Sequence, residues 1–77
     1  MPPMAFCQDA LAELSIMSSN DGWVRGAQAV CEMYASTDEK RFDLILRRLS
    51  LGTTGLALTE GARWLLGRWQ SVQSSQL

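Results

Sequence analysis

From Met4 to Val72 the apolar residues of this chain return every three or four positions and nowhere alternate. That spacing marks one face of an α-helix, whereas a half-buried strand needs a period of two. Val, Ile and Thr, which strands favour, are few. The chain is thereby restricted to helices packed on helices, an all-α architecture.

Four arcs emerge, and together they predict a compact bundle of four short helices in a single domain over residues 1–77. Helix one is expected at 4–18, with Phe6, Cys7, Ala10, Leu11, Leu14 and Met17 on one face. The run Ser18-Ser19-Asn20-Asp21-Gly22 breaks it, and Asp21 is a natural N-cap for helix two at 22–35. There Trp23, Val24, Ala27, Val30, Cys31 and Tyr34 form the arc. Ser36 and Glu39 match a capping box for helix three at 37–50, which buries Phe42, Ile45, Leu46 and Leu49. Gly52 is placed to end it. Helix four, expected at 55–72, could be capped by Thr54 or Thr59; Leu58, Ala62, Leu65, Leu66, Trp69 and Val72 share its stripe. The polar run 73–77 is expected to fray.

Seventy-seven residues hold a core that barely offsets conformational entropy, so a supplement is expected. Two cysteines make no disulfide framework, and self-association as a homodimer, or docking on a larger partner, is the expected supplement. Cys7 and Cys31 each lie inside an apolar arc, where a thiol acts as a small hydrophobe. Both are expected to be buried, reduced and inert, although the two helices could face each other and pair them. The start has no basic region before an apolar run, and Glu60 and Arg63 interrupt the most apolar window, 49–67. Neither a signal peptide nor a membrane span is expected, and the compartment expected is the cytoplasm.

The absence of histidine removes Ser-His and Cys-His catalysis. Two cysteines supply half a zinc site, and no glycine spacing matches a phosphate-binding loop. No catalytic, cofactor or metal residue is therefore assigned, and a non-enzymatic protein is expected.

Charge is divided along the chain. Residues 1–39 hold six acids and one base; residues 40–77 hold six bases and two acids. The halves neutralise each other within a bundle or across a dimer, or the basic half faces a nucleic acid or acidic partner. A helix-turn-helix is the sharper form of the second reading. Taking Gly52 as its turn puts Arg48 where a small residue belongs; Gly55 puts Gly61 at a buried aliphatic site, and Gly61 does the same to Gly67. No register fits, and the net charge of −1 is wrong for a free-standing DNA binder. Nucleic acid is an unlikely partner, reachable only through a basic helix-three face of Lys40, Arg41, Arg47 and Arg48.

The most informative residues lie off the core stripes. Leu44 points away from Phe42 and Leu46, among the four bases, and Leu51 aligns with it. Trp64 is rotated off the helix-four stripe, near Gly61, Gly67 and Arg68. Two glycines in a helix cost about 1 kcal/mol each, which suggests a close neighbour beside Trp64. Trp64 either packs on helix one or two or belongs to a contact surface. Trp64, Arg68, Gly61, Leu44, Leu51, Arg48 and Arg41 are the candidate protein-interaction residues, of types enriched at interface hot spots. Gly26, Ala29, Met33 and Ile16 are weaker candidates. The expected function is a helical interaction module (a regulator, inhibitor, adaptor or chaperone-like protein) that binds another protein. The excess of Arg over Lys suits a small bacterial or phage accessory protein.

Overall fold

The computed structural model describes residues 1–17, 21–52 and 56–75, and every regular element within them is a helix. The order is α1 (Pro3–Ile16), α2 (Gly22–Tyr34), α3 (Glu39–Ser50) and α4 (Ala57–Ser75). Proline opens α1, where a missing N–H costs nothing, and the Pro2 carbonyl accepts from the Phe6 N–H at 3.0 Å. Asp21 stands at the α2 N-cap as expected, its carbonyl accepting from the Val24 N–H at 3.1 Å.

Three boundaries differ from the sequence reading. The α3 cap is Asp38, not Ser36: the Asp38 carboxylate accepts from the Arg41 N–H at 2.8 Å. Thr37 belongs to the end of α2, its hydroxyl donating to the Tyr34 carbonyl at 2.7 Å, so the turn displaces the cap to Asp38. At α4, Thr59 is no cap; it lies inside the first turn, buried, while the Leu56 carbonyl accepts from the Glu60 N–H at 3.0 Å. Thr54 and Gly55 lie outside the described residues. The far end of α4 runs to Ser75, so 73–75 are helical where fraying was expected, and 76–77 lie outside the described residues.

Gly52 follows the C-cap of α3, but its backbone is not left-handed. Its smallness serves Thr59 instead, whose Oγ1 would lie 2.6 Å from a Cβ at Gly52. Arg63 secures the same corner, donating from Nε to the Ser50 carbonyl at 3.0 Å and from its guanidinium to the Gly52 carbonyl. A cation at these last carbonyls also suits the α3 dipole.

α4 is the axis of the bundle, with α2 along one flank and α3 along the other. The α2 crossing is close because glycines meet there. A Cβ on Gly61 would stand 2.2 Å from the Ala27 nitrogen, and one on Gly26 would stand 1.9 Å from the Ala57 carbonyl oxygen. Beneath α1 the core is aromatic. Phe6, Phe42 and Trp69 pack edge to face, with centroids 5.0–5.9 Å apart. Leu14, Val30, Leu46, Ala62 and Leu65 complete it.

A disulfide joins Cys7 of α1 to Cys31 of α2, with Cα atoms 5.8 Å apart. This corrects the expectation of reduced, inert thiols. The two apolar arcs do face each other, and the bond joins them. Closing a loop with a sequence separation of 24 stabilises the fold by about 3–4 kcal/mol in the chain-entropy view.

Candidate functional site

α3 has two opposite characters. Inward, Asp38 starts the helix, and Phe42 and Leu46 are fully buried on α4 and α1 residues. Outward, Leu44 is 58% exposed and Leu51 is 78% exposed, two turns apart on one line. Lys40, Arg41, Arg47 and Arg48, all exposed, surround that line. Asp43 holds only Arg47 among them, its Oδ2 accepting from Arg47 Nε at 2.7 Å. Lys40, Arg41 and Arg48 make no ion pair among the described residues.

Asp43 also reaches inward. Its Oδ1 accepts from the Trp69 indole Nε1 at 2.9 Å, so one carboxylate ties the α3 surface to the buried α4 tryptophan. The Arg47 hydrogen bond holds the Asp43 carboxyl below its ordinary value of 3.8; burial opposes this, and the indole hydrogen bond and the Arg47 charge add to it. Beside this pair an open, mostly apolar groove of about 680 Å³ runs between α3 and α4, lined by Glu39, Lys40, Asp43, Leu44, Trp69 and Gln73. The Gln73 Nε2 is buried with no hydrogen-bond partner. A donor in that position calls for an acceptor.

The candidate residues do not form one surface. Trp64 and Gly61 lie on the α2 flank of α4 and Arg68 reaches α1, whereas Leu44, Leu51, Arg48 and Arg41 lie on the outer side of α3. Gly61 is no part of an outward face. It is buried, and the close neighbour its smallness admits is the α2 backbone. The same holds for Gly26. Trp64 is half-buried against Trp23, with ring centroids 5.7 Å apart, and the Arg68 guanidinium lies 5.1 Å from the Trp64 ring. Arg68 also forms an ion pair with Glu13 of α1, joining the basic and acidic halves. Trp64 and Arg68 thus have partners inside the chain. Gly67, by contrast, adjoins nothing within 4 Å of a Cβ.

No protein-family model, curated protein or solved structure matches this chain. Among the described residues no group of three or more His, Cys, Asp and Glu is placed to hold a metal ion. Among the described residues no helix is long and apolar enough to cross a membrane.

Sequence reasoning missed the Asp43–Trp69 hydrogen bond and the groove beside it. Four residues before Arg47, Asp43 reads from the sequence as an intrahelical partner of that arginine. The signal was available in Trp69 itself, since a buried indole N–H needs an acceptor.

Proposed function

We propose that this chain is a non-enzymatic helical interaction module that acts by binding another protein through the outer face of α3. One observation carries the reading: two aligned, exposed leucines stand among bases, three of which have no ion-pair partner among the described residues. Single exposed leucines are ordinary on protein surfaces. Two on one line, backed by a rigidly anchored helix, supply more. Fully burying a leucine is worth about 1.5–3 kcal/mol, so covering both approaches the energy of a hot spot.

The homodimer expected from chain size has no place in this reading. Its premise was the lack of any other staple, and the Cys7–Cys31 disulfide supplies one. Two copies meeting α3 to α3 would also oppose like charges, since α3 holds four bases and two acids. The buried disulfide favours an oxidising environment, where such bonds persist, over the cytoplasm.

The test is co-purification from the native host, with the parent chain and Leu44→Asp compared by mass spectrometry. A protein retained by the parent and lost with the variant is the expected result. Recovery of nucleic acid that depends on Arg41 and Arg48 would favour the second reading, in which the same basic face binds nucleic acid.

A further inference from the structure

We propose that the partner of the α3 face is an acidic amphipathic helix, which lies along Leu44 and Leu51 and sets an apolar side chain into the α3–α4 groove. The inference rests on the reading of α3 as a protein-binding face and adds the chemistry of what it binds.

Three features of the surface select this occupant. The leucine line is straight over two turns, the footprint of one helix face, whose own anchors recur with the same spacing. Arg41 and Arg48 border the line on one side, and Lys40 and Arg47 on the other. Among the described residues, Arg47 alone of these has an ion-pair partner, Asp43. A helix seated between the two rows meets cations on both sides, so its flanking positions must be acidic. The groove differs. Its charged members are Glu39, Lys40 and Asp43; Glu39 is paired with the Met1 ammonium, and Asp43 is engaged by Arg47 and by the Trp69 indole. The rest of the lining is mostly apolar, so an apolar side chain packed against the exposed Leu44 suits it. A second copy of the chain is disfavoured, because its α3 face carries the same excess of bases. Duplex nucleic acid would satisfy the bases but leave both leucines and the apolar groove without a partner.

The experiment uses the full disulfide-bonded chain and three synthetic helical peptides. All share one leucine stripe; their flanking residues are all Glu, all Gln or all Lys. Binding is read by anisotropy of the labelled peptide at about 150 mM salt. The contact is mapped by amide and indole chemical shifts, including the Gln73 side-chain amide and the Trp69 Nε1–H. The Glu peptide should bind at least about tenfold tighter than the Gln peptide, with the Lys peptide weakest. Shifts should centre on Leu44, Leu51, Gln73 and Trp69. In the Arg41→Glu, Arg48→Glu double variant the preference should move toward the Lys peptide. Equal binding of the Glu and Gln peptides on α3 overturns the acidic partner and leaves protein binding through that face in place. If no peptide perturbs Leu44 or Leu51, or if a labelled duplex binds there below micromolar concentration, both this inference and the proposed function fail.

Discussion

At the scale of single residues, the two tryptophans of α4 differ in what surrounds them. Trp69 is 1% exposed, packed between Phe6 and Phe42, with its N–H on Asp43. Trp69→Ala should lose about 3–5 kcal/mol, enough to leave the chain largely unfolded in a far-ultraviolet thermal melt. Trp64→Ala gives up the contact with Trp23 and the Arg68 guanidinium at a half-buried site. About 1–2 kcal/mol should be lost, seen as a lower melting temperature with the helical spectrum retained. Asp43 adds a dependence on pH. Its pKa is lowered on folding, so its contribution is complete above the unfolded value near 3.8 and disappears as pH falls through the lower folded one. Acid titration followed by tryptophan fluorescence should show this step, and Asp43→Asn should lack it.

Between elements, the glycines of α4 report which neighbours each face meets. Gly61→Ala forces a methyl onto the α2 backbone and should destabilise by about 3 kcal/mol or more. Gly67→Ala fills open space in a helix and should stabilise by about 0.5–1 kcal/mol. Chemical denaturation of the two variants in parallel measures the contrast. All four helices were legible in the sequence, because a repeat near 3.6 is a local property that survives without knowing the neighbours. What each off-stripe residue meets was not legible, because it depends on how helices cross. The close neighbour inferred beside Trp64 exists, but it is α2 of the same chain acting on Gly61. Leu44 and Leu51 were placed outward correctly, since the angle around α3 alone decides that. Asp38 took the cap from Ser36 through the turn after Tyr34, which periodicity does not describe.

For the whole molecule, the Cys7–Cys31 disulfide is a staple of the kind so small a core calls for. Reduction by a dithiol, or the Cys7→Ser, Cys31→Ser double variant, should remove about 3–4 kcal/mol, most of the stability of so small a domain. Thermal melts with and without reductant measure it, and equal melts would show that the staple contributes nothing. The remaining question is whether the outward face of α3 serves binding while the inward face holds the fold. It is tested most directly by titrating the Leu44→Asp, Leu51→Asp double variant with the Glu-flanked peptide, below a melting temperature measured on the same sample. The expected result is an unchanged melt with at least about a tenfold loss of affinity. A lowered melt with affinity retained would contradict it, making the two leucines part of the fold and α3 no binding face.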